Sequence, residues 1–234
     1  MTAQLPLALR WPRRQRFEHF HAGPHNAAAL AAIEALSTQP GAPWVYLHGP
    51  LGSGRSHLLL AAAQAAAEAG RRVQYLPLAT LADRAAALRG VAGSEWLALD
   101  DLEAIAGQRE AEHALFDLYN QTRAEGGALL FASAAGPADS GIALPDLRSR
   151  LGACTQFVLR PLDDDERRRV LKRSAADRGI GLDEPVLDWL FNRYARDLGA
   201  LLDLLDRLDR ASLAARRRIT VPFLRGFLRE GSDR

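Results

Sequence analysis

Gly49-Pro50-Leu51-Gly52-Ser53-Gly54-Arg55-Ser56 restricts what this chain can fold into more than any other stretch. It follows an apolar run at Trp44–Gly49 and precedes a helical pattern over His57–Ala69, so a strand must end, turn on glycine and pass into a helix. Glycines let the backbone curl until its N–H groups face one point, and the helix behind adds the positive end of its dipole. The spacing is that of a P-loop, a cradle for nucleotide phosphates, with Arg55 where Lys is usual. Gly49 to Ser56, together with His57, are the candidate nucleotide-binding residues, and the Ser56 hydroxyl is a candidate Mg²⁺ ligand.

A second motif completes the site. Trp96-Leu-Ala-Leu-Asp100-Asp101 is an apolar strand that ends in two acids, the Walker B arrangement, which sets a carboxylate beside the metal. Asp100 is the candidate metal ligand and Asp101 the candidate catalytic acid that would orient water. Arg55 is open to two readings. Of 30 basic residues, 29 are Arg and only Lys172 is Lys, so the replacement is either compositional drift or a real departure. A planar guanidinium is not equivalent to a compact ammonium at a γ-phosphate that must be held in line with water, and as a departure it predicts slow hydrolysis.

Five apolar runs, Trp44–Gly49, Arg72–Pro77, Trp96–Asp100, Ala128–Ser133 and Thr155–Leu159, are too short for helices and alternate with helical patterns at His57–Ala69, Leu81–Leu88 and Glu110–Glu125. That alternation predicts an α/β fold with a parallel five-stranded sheet. After Leu162 the strand signals stop. Asp163 and Glu166 form a capping box that opens a helix ending near Gly179, and Asp183–Tyr194, Asp197–Arg216 and Pro222–Leu228 complete a small all-helical domain. Leu198, Leu201, Leu202, Leu205 and Leu208 form its apolar stripe. The boundaries expected are an N-terminal tail over 1–16, a nucleotide-binding α/β domain over 17–160 and a helical lid over 161–234.

Composition, with 48% hydrophobic and 25% charged residues, is that of a globular protein. No run reaches the ~18 apolar residues of a membrane span, and the order of apolar and basic residues at the N-terminus reverses that of a secretory signal. A cytoplasmic protein with no membrane partner is expected. The lone Cys154 excludes an intramolecular disulfide, and a net charge of +2 lacks the one-sided excess of a DNA-binding domain.

Taken in order, GPLGSGRSHLLLAA, LALDDLEAIAG, HALFDLYNQ, LPDLRSRL and LDRLDRAS resemble the Hda family of DnaA-related AAA+ proteins over nearly the whole chain, and the P-loop Arg fits that pattern. The resemblance implies an AAA+ fold, ADP or ATP with Mg²⁺ as cofactors, and a regulator of replication initiation. Such a protein, bound to the DNA-loaded sliding clamp, promotes hydrolysis of ATP carried by DnaA. Expected partners are therefore DnaA, the clamp and, mainly through the clamp, DNA; self-association is compatible with the family.

The resemblance also implies roles for single residues. Gln4, Leu5, Leu7 and Leu9 match a clamp-binding peptide; Arg150 matches an arginine finger acting in trans, with Arg148 as competitor; Arg196 matches the sensor-two Arg. Phe17, Phe20 and Asn26 occupy the region that flanks adenine in relatives, and Ala134 stands where a polar sensor-one residue is usual, with Ser133 as a stand-in. Arg55 and Ala134 both point to weak or absent intrinsic ATPase activity. The alternative is an independent AAA+ ATPase such as a helicase loader. A small-molecule P-loop kinase would need an acceptor pocket and a P-loop Lys, neither of which the sequence offers.

Overall fold

A computed structural model describes residues 15–193, 198–215 and 219–230. The chain forms two compact units that part between Pro161 and Leu162. In the first, β1 (Val45–His48), β2 (Val73–Pro77), β3 (Trp96–Asp100), β4 (Ala128–Ser133) and β5 (Thr155–Val158) make one sheet in the order β2-β3-β4-β1-β5, with every pairing parallel. Each strand lies within a residue of its expected bounds; for the inner strands β1, β3 and β4 this is because a strand buried on both faces shows as a continuous apolar run.

Alternation along the strands assigns the two faces. Val45, Leu47, Trp96, Ala98, Leu130 and Ala132 pack against α1 (Gly23–Thr38) and α2 (Arg55–Glu68) through Ile33, Leu36, Leu58, Leu59 and Ala62. Tyr46, Leu97, Leu99, Leu129 and Phe131 meet α3 (Arg84–Gly90), α4 (Arg109–Ala124) and α5 (Pro145–Gly152) through Leu88, Leu115, Leu118, Leu147 and Leu151. Each fully buried Val, Leu, Ile or Phe among them contributes about 1.5–3 kcal/mol. Trp96 is wholly buried, and its indole donates to the Leu36 carbonyl at 3.1 Å.

This topology fixes where a ligand site can be. The chain leaves β1 by α2 on one face and leaves β4, its neighbour, by α5 on the other, so a crevice opens at the C-terminal ends of these two strands. The P-loop and Ser133 stand there.

The second unit holds α6 (Asp164–Ala176), α7 (Glu184–Arg193), α8 (Leu198–Ala215) and α9 (Val221–Glu230). The capping box forms: Asp163 accepts from the Glu166 amide at 2.7 Å and Glu166 from the Asp163 amide at 3.0 Å. Leu201, Leu205 and Leu208 of the expected stripe enter the core with Leu171, Val186 and Leu190. Leu204 joins them, while Leu202 is half-buried at the edge and Leu198 is half-exposed. Arg168 pairs with Asp188 at 2.8 Å, Arg178 with Asp206 at 3.1 Å, and Lys172 with Glu184.

Candidate functional site

The phosphate cradle begins at Gly49, whose amide donates to the Ser133 carbonyl at 3.3 Å and ties the loop to the end of β4. A Cβ here would stand 2.4 Å from the Leu159 carbonyl oxygen, so only glycine lets the loop pass the end of β5. Ser53 donates back to Pro50 at 3.2 Å, closing a turn whose tip carries Leu51, 93% exposed. Gly54, at φ +94°, caps α2, and the Phe20 ring edge fills the place of its missing side chain at 2.7 Å.

The first helical bond of α2 runs from the Leu58 amide to the Gly54 carbonyl at 3.0 Å. The amides of Arg55, Ser56 and His57 therefore precede the ladder and carry the helix's positive end into the loop. Ser53 Oγ and Arg55 Nη1 are buried there without a hydrogen-bond partner. Orphaned buried polar groups are costly, and a bound anion would satisfy these.

Across the crevice, Asp100 is 1% exposed, accepting from the Tyr75 hydroxyl at 2.9 Å and from the Asp101 amide at 3.0 Å. Burial and the Asp100 charge raise the Tyr75 pKa against the lowering effect of the Ser56 hydroxyl, so Tyr75 remains the donor to Asp100. Asp101, at φ 54°, is the only non-glycine residue with positive φ among the described residues, a strained backbone of the kind that collects at functional sites. Burial, then the charges of Asp100 and Glu103, raise the Asp101 pKa against the lowering effect of Arg55.

Arg55 is 8% exposed and turns toward these acids: Nη2 lies 3.9 Å from Asp101 and Nη1 3.5 Å from Glu103. Glu103 also accepts from the Ala134 amide at 3.1 Å. Sequence reading missed Glu103. Its only signal is a third acid two residues beyond the Walker B pair, and a 3₁₀ turn at Leu102–Ile105 folds it back into the crevice.

His57 brings only its backbone to the cradle. Its Nε2 meets the Arg16 carbonyl at 3.0 Å, its ring lies 5.5 Å from that of Phe20, and burial lowers its pKa. Asn26 is likewise committed, donating to the Arg160 carbonyl at 2.9 Å and accepting from the Arg160 amide at 3.0 Å. Phe17 is half-buried against the α1–α2 side of the core.

Arg148 and Arg150 both lie on α5 but take different courses. Arg148 donates to the Ile142 carbonyl at 3.1 Å. The Arg150 guanidinium rests over Phe116 at 5.1 Å and Tyr119 at 5.5 Å, and its carbonyl accepts from Tyr119 and from Cys154 just before β5. Burial pushes the Cys154 thiol up to about 11, an inert core group. The Arg150 backbone thus stands where β5 begins, at the opposite end of the strands from the P-loop, which follows the neighbouring β1.

A buried carboxylate positions this helix. Glu112, 2% exposed, accepts from the amides of Gly107, Ala143 and Leu144 at 2.7, 3.0 and 2.7 Å, and so pins the segment entering α5 to the start of α4. Glu112→Ala is expected to destabilise this unit by about 3 kcal/mol, since three buried donors lose a charged acceptor. Urea denaturation would measure it, and an unchanged midpoint would remove Glu112 from this role. Arg196 and the tail residues Gln4, Leu5, Leu7 and Leu9 lie outside the described residues. No described helix is long and apolar enough to cross a membrane, and the described residues contain no group of three or more His, Cys, Asp or Glu that could hold a metal.

Comparison with known proteins places this geometry. The profile of the bacterial DnaA ATPase domain matches residues 12–157, and that of the Hda lid domain matches residues 164–228. An uncharacterized protein of Haemophilus influenzae is 36% identical over 230 residues, covering 97% of this chain and 99% of its own. Domain III of the Thermotoga maritima replication initiation protein DnaA superposes with a TM-score of 0.74 at 19% identity, over 94% of this chain and 98% of that one. Replication initiator DnaA bound to AMPPCP and single-stranded DNA superposes with a TM-score of 0.73 at 20% identity, over 96% of this chain and 70% of that one. This chain, a P-loop α/β unit followed by a helical unit with the Hda lid signature, belongs to the DnaA-related family of AAA+ proteins.

Proposed function

We propose that this chain is an Hda-type regulator of replication initiation, which binds an adenine nucleotide, docks on the sliding clamp and stimulates hydrolysis of DnaA-bound ATP through Arg150. The observation that carries the reading is the place of Arg150: its carbonyl accepts from Tyr119 and from Cys154, the residue before β5, at the end of the strands away from the chain's own cradle. A strand of four residues, at ~3.3 Å each, spans ~13 Å, so a side chain there serves a neighbouring molecule's nucleotide rather than its own.

The chain's own hydrolytic apparatus points the same way. Arg55 is paired with Asp101 and Glu103, and Ala134 offers only its backbone at the sensor-one position. Nucleotide is a structural switch in this reading, held by the amides of the P-loop and by the orphaned groups of Ser53 and Arg55. The relative that holds AMPPCP supports an adenine nucleotide. Ser56 and Asp100, whose oxygens converge on the Tyr75 hydroxyl, are an all-oxygen pair suited to Mg²⁺, which would neutralise phosphate charge.

The deciding experiment follows DnaA-bound ATP with this protein and clamp-loaded DNA, omitting each component in turn, beside the protein's own ATPase rate. Stimulation that needs every component, with negligible turnover alone, is expected. Turnover alone with no effect on DnaA would establish the independent ATPase instead. Docking on the clamp is read from Gln4-Leu5-Pro6-Leu7-Ala8-Leu9, whose leucines would fill an apolar pocket while Gln4 makes a polar contact. Replacing Leu5, Leu7 and Leu9 with Ala is expected to weaken binding to purified clamp at least ~10-fold, since each lost apolar contact is worth ~1 kcal/mol or more. An unchanged affinity would remove the tail from this role.

A further inference from the structure

Glu103 belongs to neither the P-loop nor the Walker B pair, yet it holds two groups that a third phosphate would need. One is Arg55 Nη1, 3.5 Å away and without a hydrogen-bond partner; the other is the Ala134 amide, which it accepts at 3.1 Å. The first is the cation of the P-loop and the second is the backbone donor at the end of β4, beside β1. A carboxylate between them stands where the terminal phosphate of a nucleoside triphosphate would be received.

We propose that Glu103 is a built-in occupant of the γ-phosphate subsite and the residue that sets phosphate number, admitting a nucleoside diphosphate and disfavouring the triphosphate; this rests on the reading of the P-loop as a nucleotide site. A triphosphate must displace Glu103 from both donors and leave its charge within a few ångströms of the new phosphate, already beside Asp100 and Asp101. Among the described residues the crevice holds three carboxylates against one guanidinium, so the displaced carboxylate gains no second arginine from them. A diphosphate needs only the loop amides, Ser53 and the edge of Arg55, and leaves Glu103 in place.

The strained turn supports a dedicated placement. Asp101 adopts left-handed backbone at φ 54°, and the 3₁₀ turn that follows brings the half-exposed Glu103 back to Arg55 and the Ala134 amide. Glu103→Gln removes the charge, keeps the size and retains an oxygen for the Ala134 amide.

The test measures affinity of ADP and of a non-hydrolysable ATP analogue, with Mg²⁺, for the full chain and for Glu103→Gln and Glu103→Ala. The unaltered chain is expected to bind ADP at least ~10-fold more tightly than the analogue, the scale of one partly screened like-charge contact. In Glu103→Gln the analogue should tighten by about 10- to 100-fold and ADP change by less than about threefold. Glu103→Ala, which also frees the Ala134 amide, should shift the ratio the same way, and a melting curve for each variant confirms folding. If ADP binds but the ratio is the same with and without Glu103, the inference fails and the nucleotide reading stands. If the unaltered chain binds neither, both fail.

Discussion

Arg150→Ala is expected to lower stimulated hydrolysis of DnaA-bound ATP by about a thousandfold, the scale of an arginine finger, while the protein stays folded and binds nucleotide unchanged. The structure separates these effects. The guanidinium rests on the faces of Phe116 and Tyr119 at 5.1 and 5.5 Å, a half-exposed contact worth about 0.5–1 kcal/mol, so its loss weakens α5 little. The backbone of Arg150, which accepts from Tyr119 and Cys154, is untouched by the substitution. Arg150→Lys keeps one charge but loses the planar fork and the stacking surface, and it should recover only a small part of the rate. Arg148 is the internal control: its side chain serves the Ile142 carbonyl, and Arg148→Ala should leave the stimulated rate within about threefold because only one neutral acceptor is released. Full stimulation by Arg150→Ala, or the same loss in Arg148→Ala, would overturn the assignment.

What the sequence made legible follows from how each feature is encoded. The sheet was readable because β3 and β4 are buried along their whole length, so Trp96–Asp100 and Ala128–Ser133 show as unbroken apolar runs. The P-loop was readable because Gly49 and Gly54 are required locally, by close approach and by positive φ. Helix α1 was not: in Gly23–Thr38 alanine fills buried and exposed positions alike, and no apolar stripe stands out. Contacts made across long separations were equally hidden. Asn26 fits an adenine-flanking position by resemblance, but its amide is spent on Arg160, 134 residues away. His57 faces Arg16 and Phe20, which no local pattern encodes. Glu103 and Glu112 look like ordinary surface acids in the sequence; the first reaches Ala134 and the second Ala143 and Leu144, each 31 or 32 residues on.

Gly49→Ala should reduce nucleotide affinity by about 30-fold and lower the melting temperature by about 5 °C, from ~2 kcal/mol of overpacking. The added methyl group would lie 2.4 Å from the Leu159 carbonyl oxygen, and that oxygen belongs to backbone. Relief by a side-chain rotation is therefore closed. Leu159 is itself fixed, its amide donating to the His48 carbonyl at 2.7 Å, and on the other side the Gly49 amide is tied to Ser133 at 3.3 Å. The loop must move away from both strands, taking with it the amides ahead of Leu58 that the cradle needs. Gly52→Ala offers the contrast, because a Cβ there meets nothing within 4 Å and the cost is only that of holding φ +80°, about 1 kcal/mol. A loss of affinity in Gly49→Ala much larger than in Gly52→Ala, measured by ADP titration beside a melting curve, would locate the constraint at the contact between loop and β5. Equal, small losses would mean that the end of β5 yields, and that the cradle is held by the turn alone.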